Sequence, residues 1–194
     1  ATTEIYTLSL HDALPILQSG IGRTGKMFAF EYYNVIPDIL VIGKALGGGF
    51  PIGAIICNQL LMNKFQSNPI LGHITTFGGH PVIARAGYET LKYIIKNNLV
   101  SKSTEKEKLF RSLLKHKLIY EIRGKGLMLA LIMKNNKIAN YLVKDCLNNG
   151  LILFFLLYEK KAVRITPPLT ISKKEIIHGC NLIIKSLDRY KNYC

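Results

Sequence analysis

At 194 residues and 48% hydrophobic composition, the chain has the length for one large domain or two small ones and the apolar content for a real core, which excludes a disordered polypeptide. The formal charge of +14 makes nucleic acid a partner to weigh, but 20 of the 26 cations are lysines spread along the chain, and the excess of Ile (25) and Asn (13) points to A/T-rich codon usage. No apolar run nears the roughly 20 residues of a membrane helix, and no basic-then-apolar leader is visible, so a soluble cytoplasmic protein without membrane or nucleic-acid partners is expected.

Residues 1–17 differ from the rest. They have no lysine and no glycine, and the tract from Glu4 to Ile16 resembles translated sequencing-adapter sequence, so residues 1–17 are expected to be foreign. From Gln18 to about Asn98 the pattern alternates strands, glycine turns and helices. Residues 39–42 predict a strand apolar on both faces, as inside an α/β sheet. Gly47-Gly48-Gly49 predicts a loop, and residues 52–57 another buried strand. After Gly78-Gly79, residues 82–96 have helical spacing, with Ala86, Thr90, Tyr93 and Ile94 near one face.

Residues 97–104 predict a hinge between a partial large domain (18–98) and a small C-terminal domain (99–194). Thr104 fits a helix cap, with Glu107 at the third helical position. Strands follow at 119–122 and 127–133, a helix at 137–148 ending at Gly150, strands at 151–157 and 162–166, and a last amphipathic helix opened by Ser172 and running to about Tyr190. This order suggests a small α+β domain. Cys57, Cys146, Cys180 and Cys194 form none of the close pairs that zinc or redox motifs need, and are expected to be reduced structural thiols.

Three segments carry chemistry. In Val41-Ile42-Gly43-Lys44-Ala45-Leu46-Gly47-Gly48-Gly49-Phe50-Pro51-Ile52-Gly53-Ala54, a lysine ends a strand expected to be buried. Burial there would disfavour its charge, and a neutral lysine can attack an aldehyde to form an imine. The alternative is a lysine reaching solvent beside a glycine-rich turn. In Gly72-His73-Ile74-Thr75-Thr76-Phe77-Gly78-Gly79-His80-Pro81, hydroxyls and backbone N–H groups before a helix suit a phosphate, or form an ordinary capped turn. In Ala162-Val163-Arg164-Ile165-Thr166-Pro167-Pro168, the arginine is either an exposed strand end or, if buried, needs a carboxylate for its fork.

Together with Gln18-Ser19-Gly20-Ile21-Gly22-Arg23-Thr24-Gly25 and Pro37-Asp38-Ile39, these segments resemble the class III aminotransferases of the ornithine and acetylornithine type. The resemblance covers about residues 18–190, the latter half of a typical member. It implies an α/β fold: part of the large domain of a fold type I pyridoxal-phosphate-dependent transferase, followed by a small α+β domain. It also implies that pyridoxal 5'-phosphate joins Lys44, that Gln18 bonds the ring's phenolic oxygen, and that Thr75 and Thr76 form the phosphate turn. In the family Thr76 serves the neighbouring subunit, which implies a homodimer. Arg164 would bind a substrate carboxylate, Arg123 would be structural, and His80, where many members have Asn, would be a variant of the turn. The implied reaction moves an amino group from an ω-amino acid or amine to a 2-oxoacid such as 2-oxoglutarate. An aminomutase or decarboxylase on the same fold, a non-catalytic fragment and a basic nucleic-acid-binding protein are the alternatives; Gln18 favours the transaminases over the aminomutases. One departure matters: Pro15, Ile16 and Leu17 stand where the family has Asp-Glu-Val, whose aspartate pairs with the ring nitrogen. The chain alone is therefore expected to be inactive.

Overall fold

The computed structural model of the chain describes residues 13–15, 17–67, 69–70, 72, 74–156 and 158–190. They fall into two compact units, Ala1–Ile21 with Lys26–Asn98, and Gly22–Gly25 with Leu99–Cys194. No helix among the described residues is long and apolar enough to cross a membrane.

In the first unit β1 (Ala13–Pro15) runs parallel to β2 (Ile39–Gly43), with Ala13 opposite Ile39 and Pro15 opposite Val41. Part of the tract that reads as foreign is thus paired in a sheet; residues 1–12 and Ile16 lie outside the described residues. The third strand, β3 (Gly53–Cys57), is antiparallel to β2, with Gly53 opposite Gly43. The apolar runs predict strands buried on both faces, and the structure corrects this. Only Ile42 and Gly43 of β2 are buried, while Ile55 and Ile56 of β3 are each 50% exposed. Successive strand residues point to opposite faces, so neither face at β3 is fully covered by the described residues.

A short helix, α1 (Gln59–Asn63), is capped by Asn58, whose side chain accepts from Leu61 N at 2.9 Å. The longer α2 (Pro81–Lys96) starts on Pro81, where a missing N–H leaves no bond unmade. Ile94 is buried and Ala86 and Thr90 are half-buried, but Tyr93, expected beside them, is exposed: at about 100° per residue it lies roughly 100° round the helix from the buried Gly87 and Ile94. Asn97 caps the helix and Asn98 takes a left-handed backbone (φ +52°), a conformation that Asn tolerates well.

That turn is the whole of the expected hinge. In the second unit α3 (Leu99–Leu113) begins at once, so Thr104 and Glu107 lie inside a helix and are not its cap. The capping pattern is locally valid, yet burial of Leu99, Ser103 and Phe110 along one face makes the helix continuous. Glu107 instead accepts from Arg111 Nε at 2.8 Å and from the Gly126 N–H at 2.5 Å.

β4 (Ile119–Lys125), β5 (Met128–Met133), β6 (Phe154–Phe155) and β7 (Ala162–Ile165) form an antiparallel sheet in the order β4-β5-β7-β6. The strand expected over 151–157 shrinks to the two-residue edge β6, because Leu151 N returns to Cys146 O to close the preceding helix; Leu157 lies outside the described residues. That helix, α4 (Asn136–Asn148), and α5 (Lys173–Arg189) pack with α3 around a core that includes Leu129, Leu131, Leu142, Ile176 and Leu187. Ser172 and Glu175 cap α5 reciprocally, as their spacing predicts. Cys146 and Cys180 are free thiols in this core, and Cys57 is a free, half-buried thiol of the first unit; Cys194 lies outside the described residues.

Candidate active site

Gly43 is buried at the end of β2, and a Cβ there would come within 3.0 Å of Ile52 O and 3.1 Å of Leu17 Cδ2. The chain therefore leaves the sheet through a gap with no room for a side chain. Lys44 follows, opening a 3-10 turn to Gly47 with φ at +47°. That left-handed backbone costs a residue with a Cβ about 1–2 kcal/mol. The expectation of a buried lysine is corrected here: Lys44 is exposed, since the 3-10 turn that it opens carries it out of the strand. Behind it, Gly48 (φ +59°) packs so tightly on α2 that a Cβ would lie 2.2 Å from Thr90 Oγ1.

Gln18 is held at the same end of the sheet. β1 and β2 are parallel with Pro15 opposite Val41, so three further residues bring the chain to Gln18 on one side and to Lys44 on the other. Leu17, packed beside Gly43, fixes that juxtaposition. Gln18 is exposed. In open α/β sheets ligands bind outside the carboxyl ends of such strands.

The turn before α2 reaches this end too. Gly78 N donates to Thr75 O at 3.0 Å and His80 N to Phe77 O at 3.2 Å, after which Ala84 N to His80 O starts the helix. A cavity of about 370 Å³ lies between this turn and the start of β3, lined by Ile52, Gly53, Thr75, Gly78 and His80 among others. Gly53 pairs with Gly43, which places the cavity at the Lys44 end of the sheet. His80 occupies the cap position without a side-chain bond, so the first-turn amides of α2 have no side-chain acceptor from their cap. Among the described residues Thr75 lines the cavity and Thr76, exposed in the turn, does not. His73 lies outside the described residues.

Arg164 belongs to the second unit, on β7 opposite Ala130 of β5 and Phe154 of β6. Its Nε is buried with no hydrogen-bond partner among the described residues. It lines a cavity of about 160 Å³ whose walls are mostly apolar, with Phe154, Ile165 and Ile183, and with the carboxylate-bearing Glu175. Arg123 is exposed and bonds Glu121, Nε to Oε1 at 2.7 Å.

Sequence reasoning passed over Arg23. Its Nη1 donates to the carbonyls of Leu127 and Pro167, Leu127 N returns to Arg23 O at 2.9 Å, and burial pulls the guanidinium pKa down. A lone arginine inside a run of glycines was the available signal. It is why residues 22–25 belong to the second unit although the first unit surrounds them in sequence.

The model of the family described as aminotransferase class-III matches residues 11–187. Solved structures with the same fold include the ornithine aminotransferase of Toxoplasma gondii (29% identity, TM-score 0.82, covering 92% of this chain and 43% of that one), which has partial occupancy of pyridoxal phosphate at its active site. The ornithine δ-aminotransferase of Plasmodium falciparum matches at 32% identity and TM-score 0.79, over 93% of this chain and 47% of that one. The acetylornithine aminotransferase of Elizabethkingia anophelis matches at 30% and 0.80, over 90% and 44%. The chain thus spans less than half the length of the solved structures it matches. The fold is that of the pyridoxal-phosphate-dependent aminotransferases, in part, as the sequence motifs imply. The chain belongs to the class III aminotransferase family, whose members use pyridoxal phosphate.

Proposed function

We propose that this sequence serves a cytoplasmic, homodimeric transaminase that moves an amino group from an ω-amino acid or amine, of the ornithine or N-acetylornithine kind, to a 2-oxoacid such as 2-oxoglutarate. The observation that carries the proposal is the convergence of Lys44, Gln18 and the Thr75 turn on one end of the three-stranded sheet. The residues present fit the lysine end and the phosphate end of pyridoxal phosphate. Lys44 offers an exposed amine on a strained backbone, a common mark of a functional residue. The cavity beside Thr75 meets the amino terminus of a sixteen-residue helix, a favourable place for a phosphate.

When bound, the cofactor supplies an aldehyde for the amino group and a ring that draws electrons from the reacting carbon. Lys44 Nζ would hold the cofactor and carry the proton to and from that carbon. Gln18 would orient the ring through its phenolic oxygen, and Thr75 and Thr76 would hold phosphate oxygens, Thr76 those of the neighbouring subunit. Arg164, with its unpartnered buried Nε, would take a substrate carboxylate as a bidentate pair.

One feature opposes turnover by the chain alone. Pro15 ends the strand beside β2, and neither it nor Leu17 carries an ionisable group for a ring nitrogen. The 194-residue polypeptide is therefore inactive in this proposal. The test is borohydride reduction of the gene product, as cells make it, with pyridoxal phosphate, followed by peptide mapping. A pyridoxyl label on Lys44 is expected; a label on another lysine, or none, overturns the assignment. Assayed beside it with ornithine or N-acetylornithine and 2-oxoglutarate, the 194-residue chain should form no glutamate. Turnover that disappears in Lys44→Ala would overturn the inactivity.

A further inference from the structure

In the second unit a cleft of about 580 Å³ lies between α3 and the first turn of α5, lined by none of the residues given a role above. Lys102, Lys106 and Lys108 come to it from α3 and Lys173 from α5. Glu105 is the one carboxylate among its lining residues. Glu175 acts on Lys106 from nearby, but its carboxylate is engaged by the Ser172 N–H at the cap of α5. No ion pair among the described residues holds Lys102, Lys108 or Lys173.

Lys106 is fixed in place: its Nζ donates to Leu169 O. Desolvation first, and then the charge of Lys102, pull its pKa down, against Glu105 and Glu175, which push it up. Leu109 and Ile176 add apolar surface to the cleft. Lys173 is the first residue of the seventeen-residue α5, whose dipole adds positive potential.

We propose that this cleft binds a small ligand carrying several phosphate groups. Lysine ammoniums are point charges without the planar fork that suits a carboxylate, and four of them around one cleft match an oligophosphate better than a single acid. The volume lies within the roughly 300–1,000 Å³ usual for small-molecule sites. The proposal is independent of the transaminase reading, since it uses none of the same residues.

The probe is inorganic tripolyphosphate, titrated calorimetrically into the 194-residue chain at about 0.15 M salt, where long-range attraction to the net charge is screened beyond about 8 Å. One saturable site is expected. The exposed pair Lys102→Glu with Lys173→Glu should weaken it at least about tenfold. The pair Lys134→Glu with Lys137→Glu changes the net charge equally at exposed positions outside the cleft, and should leave the affinity within about twofold. Equal losses in both pairs, or no saturable binding, overturn the proposal. Urea unfolding of each variant, matched to the parent, keeps loss of fold separate from loss of binding.

Discussion

The two units handle apolar sequence in opposite ways. In the second, the apolar positions of β5, β7, α4 and α5 converge on one core, and Leu127, Leu131, Leu142 and Leu187 are wholly buried. In the first, the buried large residues are few, and Ile36, Leu60, Ile70 and Phe77 are more than 70% exposed. The described non-glycine residues with left-handed backbones (Ile21, Asn34, Lys44 and Asn98) also all fall in the first unit. The unit with the self-sufficient core carries Arg164, while the unit with the lysine motif exposes apolar surface and stores strain. At Lys44 left-handed strain coincides with the candidate chemistry, as expected where local rules yield to function.

The largest effect that would sharpen this contrast is core truncation. Leu131→Ala or Leu142→Ala should cost about 2–5 kcal/mol in urea unfolding, and Ile56→Ala, on the half-exposed β3, about 1 kcal/mol or less. Equal losses would break the comparison. Next comes Gly124→Ala: at φ +108° its Cβ would lie 2.0 Å from Met128 O, so a loss of about 2 kcal/mol or more is expected. Gly49→Ala in the first unit has a similar φ but open space, and should lose only about 1 kcal/mol. Smaller still, and opposite in sign, Lys44→Gly should raise stability by about 1 kcal/mol by relieving the left-handed strain, while removing the amine. An unchanged or lowered unfolding midpoint would argue that Lys44 is not strained.

Acid should act on the second unit through Asp145. Burial works against its carboxylate, but the hydrogen bond and charge of Arg189 outweigh burial and hold its pKa below the ordinary value. A depressed carboxylate contributes fully above its unfolded-state pKa near about 4 and loses that contribution as pH falls through the folded value. Asp145→Asn should therefore flatten the acid limb of a stability–pH curve; an unaltered limb would remove Asp145 from it. The smallest perturbation is thiol labelling. Burial pushes Cys146 up to about 11 and Cys180 up to about 12. Near pH 8 iodoacetamide should modify half-buried Cys57 before Cys146 and Cys180, which it should reach only on unfolding, as read by peptide mapping.

Much of the molecule was legible in the sequence. The Ser172–Glu175 capping box, the helix after Asn135 and the amphipathic α5 depend on neighbours a few residues apart, and each formed near where its spacing indicates. The lysine between a strand and three glycines was legible for the same reason, as a local conflict between an apolar run and a cation. Where local patterns competed, they misled. Thr104 and Glu107 matched a helix start, but the turn at Asn98 had already ended the previous helix, and long-range burial of Phe110 carried α3 through.

What the sequence determined alone was the periodicity of its elements and the motifs that identify the family, because both are written in near neighbours and residue chemistry. Only the tertiary structure decided that Arg23 joins the second unit, that the apolar residues of β3 remain half exposed and that Lys44 stands in solvent. It also decided that four lysines from two helices share a cleft. Those outcomes depend on pairing and packing between residues far apart in the chain. Burial belongs to the partner a residue finds, and no local pattern names that partner.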